Sequence, residues 1–94
     1  MVITEIRIKP IDSQNGKFKA WASIVLDGQF VIHNLKVIDG SKGLFVAMPN
    51  RRLMNGQYKD IVHPLNNETR KYIESTVLAE FKKTIEQVNR QNSN

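Results

Sequence analysis

Apolar and polar residues alternate along the first two-thirds of the chain, in the pattern of β-strands that bury one face. The pattern predicts strands over residues 2–9, 17–27, 30–38 and 44–48, and a candidate return strand over residues 58–62. Pro10 and Pro49 close two of these strands because proline has no N–H to donate to a ladder. Turn residues separate the strands at residues 12–16 and at Asp27-Gly28. This order predicts an antiparallel meander.

The last third of the chain changes to the period of an α-helix. Asn66 or Asn67 can cap its N-terminus, and Glu68 lies in the first turn, where an acidic side chain complements the helix dipole. The apolar positions recur every three or four residues, at Ile73, Val77, Phe81, Ile85 and Val88. This predicts one amphipathic helix of about 23 residues, or roughly 34 Å at 1.5 Å per residue. The polar end, residues 89–94, is predicted to be a disordered tail.

These elements predict a single domain of the α+β class over residues 1–88. An antiparallel β-sheet of four to five strands is followed by one long C-terminal amphipathic α-helix. A chain of 94 residues has the length of one small domain with a modest core.

A count of sheet faces predicts a homodimer. One helix covers one face of the sheet, yet the second and third strands carry apolar residues on both faces. By strict alternation, one face holds Phe18, Ala20, Ala22, Ile24 and Leu26 of the second strand and Phe30, Ile32 and Ile38 of the third. The other face holds Trp21, Val25, Val31, Leu35 and Val37. Because soluble proteins normally cover such a patch, we predict a two-fold dimer through these five residues.

Composition narrows the class of partner. The chain has 14 basic and 9 acidic residues, a net charge of +5 and a pI near 9.8, which favours nucleic acid or another polyanion. It has no cysteine, which fits a reducing cytoplasm. The first ten residues alternate apolar and charged side chains, so they predict neither a signal peptide nor a membrane span.

The basic residues concentrate between Asp39 and Asp60, a segment with no acidic side chain in between. Arg51 and Arg52 follow Pro49, and adjacent guanidinium groups suit phosphate oxygens and guanine edges. The alternative is a solvated loop whose arginines only maintain solubility. The residues predicted to support the arginine pair in binding nucleic acid are Lys42, Lys59, Tyr58, Arg70 and Lys71, where the tyrosine ring could stack on a base. Asn55-Gly56 is predicted to turn the chain back.

No enzyme motif is present, so we expect no catalytic residues, cofactor or small-molecule substrate. His33 alternates with apolar strand residues and His63 precedes Pro64 at a corner, which favours structural roles for both. Neither has further ligands at suitable spacing, so no metal site is expected.

Several runs along the chain together form a family signature. They are Phe30-Val31-Ile32-His33-Asn34, Val37-Ile38-Asp39-Gly40, Gly43-Leu44-Phe45-Val46-Ala47-Met48-Pro49, Tyr58-Lys59-Asp60-Ile61 and His63-Pro64-Leu65-Asn66, followed by Arg70. In this order and spacing they resemble the bacterial stage V sporulation protein G (SpoVG) septation-regulator family. The resemblance extends from residue 2 to residue 86, and the run GLFVAMP is its most specific part.

The resemblance implies a homodimeric cytoplasmic regulator that binds DNA, with RNA as a second candidate, and modulates gene expression. It links the protein to septation, cell division and, in spore formers, sporulation. The family's basic pair after the proline falls on Arg51 and Arg52, with Asn50 in the small polar position before them. This chain departs from many relatives at residues 53–56, where Leu-Met-Asn-Gly replaces Thr-Pro-Asp-Gly, and it lacks the acidic tail of some.

A second hypothesis stays open from the residues alone. The chain could be a protein-interaction module that acts on division or envelope proteins without binding nucleic acid. Its basic patch would then face an acidic protein surface.

Overall fold

The computed structural model describes residues 1–11 and 16–92, with side chains up to residue 88. Its elements are β1 (Ile3–Pro10), β2 (Phe18–Leu26), β3 (Phe30–Gly40), β4 (Gly43–Ala47), β5 (Asn50–Arg52), β6 (Tyr58–Asp60) and α1 (Asn67–Asn92). The predicted turn spans residues 12–16, and residues 12–15 of it lie outside the described residues.

The first four strands form one antiparallel sheet in sequence order, β1-β2-β3-β4. This confirms the predicted α+β meander. The candidate return strand exists as β6, but it pairs with β5 in a separate two-stranded ribbon and does not join the sheet. The dimer stays a prediction, since a single chain does not test it.

The helix begins where the sequence predicts. The Thr69 N–H donates to Asn66 Oδ1 at 2.8 Å, so Asn66 is the cap. The helix packs on β1, β2 and β4, and the Tyr72 hydroxyl accepts a hydrogen bond from the Ile3 N–H at 2.9 Å. Its backbone continues to Asn92, so of the predicted tail only residues 93 and 94 lie outside the described residues. In the described part of the chain, no helix is long and apolar enough to cross a membrane.

The core lies between α1 and one face of the sheet. Its buried apolar residues are Ala20, Ala22, Ile24, Leu35, Val37, Val46, Met48, Ile73, Val77 and Phe81. The helix therefore contributes the stripe that its three- and four-residue spacing predicts.

Two residues of the predicted dimer interface belong to this core, which corrects the face assignment. Leu35 and Val37 are 0% exposed beneath the helix. The cause is a β-bulge in β3: Ala22 pairs with Leu35 and Ile24 with Ile32, so β3 has one residue more than β2 between these pairs. The extra residue reverses the alternation, and Leu35 therefore shares a face with Ile32 instead of Val31.

The backbone at Asn34 shows where this bulge is accommodated. Asn34 has φ of +67°, the left-handed region that asparagine tolerates better than most residues. His33 and Asn34 are both exposed, and His33 Nδ1 lies 3.1 Å from the hydroxyl oxygen of Ser23 on β2.

A second bulge compensates for the first. Between Phe18 and Ala20, β2 has one residue more than β3, which restores the original register. Phe18 and Ile38, paired with each other, consequently lie on the face opposite the helix and not on the face predicted for them. Phe18 confirms this position, because its ring meets the ring of Trp21 with centroids 4.9 Å apart.

The sheet face opposite α1 is called the open face below. Its residues, row by row across the strands, are Glu5, Val25 and Val31; Arg7, Ser23 and His33; Lys9, Trp21, Lys36 and Ala47; and Phe18, Ile38 and Phe45. Apolar side chains thus occupy its two ends, and basic or polar side chains surround Trp21 in the middle.

Candidate nucleic-acid interface

The predicted arginine pair lies on the ribbon of β5 and β6, which projects from the sheet. Pro49 is buried at its base, and the Ile61 N–H donates to the Pro49 carbonyl at 2.7 Å. Among the described elements, each ribbon strand has extensive contacts only with the other. The ribbon is therefore an arm with both surfaces open, except where its base adjoins the sheet.

The far end of the ribbon turns as the sequence predicts. The Gly56 N–H donates to the Leu53 carbonyl at 3.0 Å, and the Leu53 N–H donates to the Gln57 carbonyl at 2.7 Å. Gly56 has φ of +87°, a conformation that glycine adopts without steric cost. A turn followed by such a glycine is a common hairpin connection, so the Met54-Asn55 replacement retains a hairpin.

The sequence analysis predicted the two arginines in a loop, but they lie on strand β5. This position separates their side chains. Successive side chains of a strand point to opposite faces. Arg51 is opposite Lys59, and Arg52 is opposite Tyr58. The ribbon therefore presents a pair of cations on one side and an arginine beside an aromatic ring on the other.

The pairing of Arg51 with Lys59 has an energetic consequence. Directly opposed residues have Cβ atoms about 4.5–5.5 Å apart, and like charges at that position are destabilising. Among the described residues, the ion pair is Arg7 with Glu5, at 3.4 Å, so neither Arg51 nor Lys59 is in an ion pair there. An anion bound between Arg51 and Lys59 would remove this repulsion.

Lys42 does not lie beside the basic residues of the ribbon. It lies in the turn before β4, whereas the ribbon follows the end of β4. A strand of that length separates them by roughly 17 Å at 3.3 Å per residue. The depression beside Lys42 includes Glu74 of the helix, so its surroundings are also less positive.

Arg70 and Lys71 are exposed in the first turns of α1, as predicted, but they lie among carboxylates. Lys71 borders a shallow depression together with Glu68 and Glu74. Asn66 already accepts from one of the free N–H groups at this terminus. These two residues are therefore weaker anion contacts than the ribbon.

The structure reveals a second basic surface that the sequence analysis did not identify. Arg7, Lys9 and Lys36 share the open face with Trp21, which is 37% exposed between Lys9 and Lys36. The Lys36 ammonium lies 5.4 Å from the centroid of the Trp21 ring and 5.5 Å from that of Phe18. The alternation of β1 already placed Arg7 and Lys9 on one face of the sheet. The position of Lys36 on that face depends on the β3 bulge.

The histidines take part in local hydrogen bonds. His33 contacts Ser23, as described above, and His63 Nδ1 lies 3.1 Å from the Pro64 carbonyl oxygen. Within residues 1–11 and 16–92, no group of three or more His, Cys, Asp or Glu side chains is arranged to hold a metal ion.

Comparison with known proteins finds similarity to one protein family. A family model described as SpoVG matches residues 1–83. A protein of Agathobacter rectalis is 49% identical over 88 residues, which is 94% of this chain and 100% of the relative. A protein of Clostridium acetobutylicum is 51% identical, covering 88% of this chain and 86% of the relative. A third, from Clostridium perfringens, is 48% identical over 88% of this chain and 91% of its own length. All three bear the name "Putative septation protein SpoVG".

Proposed function

This chain belongs to the SpoVG family, and on that basis we propose that it is a homodimeric nucleic-acid-binding regulator of the bacterial cytoplasm. It would bind DNA, and RNA as a second candidate, and act on gene expression. The name of its relatives suggests that septation and cell division are the processes affected. In a spore former, sporulation would be affected as well.

The observation that carries this proposal is the arrangement of cations on the ribbon. Arg51 opposes Lys59 at a cost in folding free energy, and Arg52 lies beside Tyr58 on the other side. A nucleic-acid strand offers what both sides lack: a phosphate for the two cations, and a base for the tyrosine ring.

We expect Arg51→Ala with Arg52→Ala to weaken binding to duplex DNA and to reduce its dependence on salt. Each phosphate contact releases counterions, so losing two per subunit should flatten the log–log slope by roughly 1.8 for each subunit bound, at about 0.9 per contact. The measurement is fluorescence anisotropy of labelled duplex DNA across a salt series, repeated with RNA.

Lys82→Ala with Lys83→Ala is the matched control. It removes the same charge from exposed positions on α1, away from the ribbon, and should leave the slope near that of the wild type. If the arginine variant stays folded and keeps both affinity and slope, the ribbon is not the binding site. Binding of a protein partner that resists nuclease, without affinity for either nucleic acid, would instead favour an interaction module.

We also propose that residues 62–65, which follow the ribbon, form the dimer contact. Val62 and Leu65 are exposed apolar side chains in this segment. What remains of the interface predicted from the sequence is Trp21, Val25 and Val31, and the tryptophan lies among cations. A second copy packed on residues 62–65 would bury apolar surface and leave the cations of the ribbon and of the open face to bind nucleic acid.

Sedimentation at micromolar concentration is expected to show a dimer. Val62→Asp with Leu65→Asp should shift it to monomer, because a buried, unpaired carboxylate is costly at an interface. Val31→Asp, on the open face, should leave the dimer intact. The reverse pattern would place the interface on the open face, and a stable wild-type monomer would contradict the dimer itself.

A further inference from the structure

The middle of the open face forms a groove around Trp21. One depression of about 410 Å³ is lined by Arg7, Ile8, Lys9, Trp21, Ala22, Ser23 and Asn34. A second, of about 210 Å³, is lined by Trp21, Asn34, Lys36, Pro49, Asn50 and Ile61. The two share Trp21 and Asn34, so together they run from the free edge of β1 to the base of the ribbon.

The charges along this groove have one sign. Arg7, Lys9 and Lys36 line it, and the carboxylate recorded close to any of them is Glu5, which pairs with Arg7 at 3.4 Å. Cations at spaced positions around an aromatic ring are what a single nucleic-acid strand requires, with its regular phosphates and its freely rotating bases.

We infer that this groove binds single-stranded nucleic acid, with a base stacked on Trp21 and the neighbouring phosphates on Lys9 and Lys36. This inference rests on the proposed nucleic-acid binding and adds a second contact surface to it. A base pair within a duplex is already stacked on its neighbours, so the groove would select single strands. The ribbon, in contrast, would contact phosphates of either form.

Lys36 covers part of the Trp21 ring in the free protein, and the magnitudes favour its displacement. A base stacked on an aromatic side chain contributes roughly 5- to 150-fold in affinity. An exposed cation–π contact contributes roughly 2- to 5-fold. The displaced ammonium would remain beside the groove on its flexible stem and could pair with the phosphate of the same nucleotide.

The groove also leads to the ribbon. Asn50 lines its second half and is the first residue of β5. By strand alternation, Arg52 lies on the same side of the ribbon as Asn50, and so do Tyr58 and Asp60 on the paired strand. A strand leaving Trp21 would therefore meet Arg52 and Tyr58 next, with Asp60 as the acidic side chain on that path.

A second copy of this chain fits the groove less well. Two-fold packing of open faces would bring Arg7, Lys9 and Lys36 close to the same cations of the partner copy. Like charges brought together at an interface oppose association.

Trp21 is the only tryptophan of the chain, so its fluorescence reports on this groove alone. A short oligothymidylate should quench the fluorescence of the wild-type protein on binding, and a duplex of the same length should quench it much less. Anisotropy of the labelled oligonucleotide gives the affinity independently. We expect Trp21→Ala to lower single-strand affinity by roughly 5- to 150-fold and to leave duplex affinity within about 2-fold.

Two further variants make the test specific. Trp21→Phe keeps an aromatic surface and should recover part of the lost affinity, whereas Val31→Ala, on the same face outside the groove, should have no effect. Saturation by oligothymidylate without quenching, or a folded Trp21→Ala with unchanged single-strand affinity, overturns the groove while leaving the ribbon in place. Dissociation of a dimer by Trp21→Ala overturns it in favour of self-association. Absence of binding to every nucleic acid overturns the proposed function as well.

Discussion

Replacing Leu35 with alanine is expected to lower the free energy of unfolding by about 2–5 kcal/mol. The side chain is fully buried between the sheet and α1, so its loss removes apolar burial and leaves a cavity that the helix can only partly fill. Domains of this kind are stabilised by only about 5–15 kcal/mol in total, and small ones lie at the lower end. Urea unfolding followed by circular dichroism should therefore show a much lower midpoint.

Val31→Ala is the matched control for this variant. The sequence pattern assigned Val31 and Leu35 to the same face, but Val31 is 44% exposed on the open face. We expect its replacement to cost less than about 1 kcal/mol, as is usual for exposed positions. Equal, small losses from the two variants would show that Leu35 is not in the core and that the alternation of β3 is regular.

The overall architecture could be predicted because it depends on period, which single-residue irregularities do not erase. Four strands, their order, the helix and its Asn66 cap all follow from the spacing of apolar residues and turn signals. The side-chain orientation within β3 could not be predicted in this way, because one extra residue exchanges the two faces. A weak signal did exist: His33 and Asn34 are consecutive polar residues in an apolar run, and asparagine tolerates positive φ.

The candidate site was predictable to a similar depth. The stretch without acidic residues indicated the segment whose basic side chains lie on the ribbon, because charge composition needs no knowledge of orientation. Reading Arg51 and Arg52 as a pair in a loop missed that strand alternation separates them. The groove at Trp21 was hidden for another reason: Lys36 reaches the open face only because of the β3 bulge.

The same bulge thus serves both the core and the open face. With the extra residue, Leu35 and Val37 lie beneath α1, and Lys36 between them lies over Trp21. If the same residues paired without the bulge, regular alternation would place Lys36 beneath the helix and the two apolar side chains in solvent. For a β3 of this length, the bulge at Asn34 therefore determines which side chains form the core and which lie on the open face.

Deletion of Asn34 is expected to leave folding cooperative. It places Leu35 two residues after Ile32, so regular alternation keeps Leu35 and Val37 beneath α1 and Lys36 on the open face without a bulge. In a strand that had no bulge, the same deletion would exchange the faces, exposing two core side chains at about 1.5–3 kcal/mol each and burying an unpaired ammonium at several kcal/mol. Thermal unfolding followed by circular dichroism should therefore show a sharp transition for the deletion variant.

Asn34→Gly tests the contribution of the asparagine side chain separately from that of the extra residue. Glycine adopts a φ near the observed +67° without steric cost and keeps the chain length, so this variant should unfold cooperatively within about 1 kcal/mol of the wild type. Loss of the transition in the deletion variant would mean that β3 is regular in the wild type, and the correction of Leu35 and Val37 would be wrong. If the glycine variant loses the transition while the deletion variant keeps it, the asparagine side chain itself holds the bulge. The expected result, cooperative unfolding of both variants, would show that Asn34 is the extra residue that β3 accommodates without exchanging the two faces of the sheet.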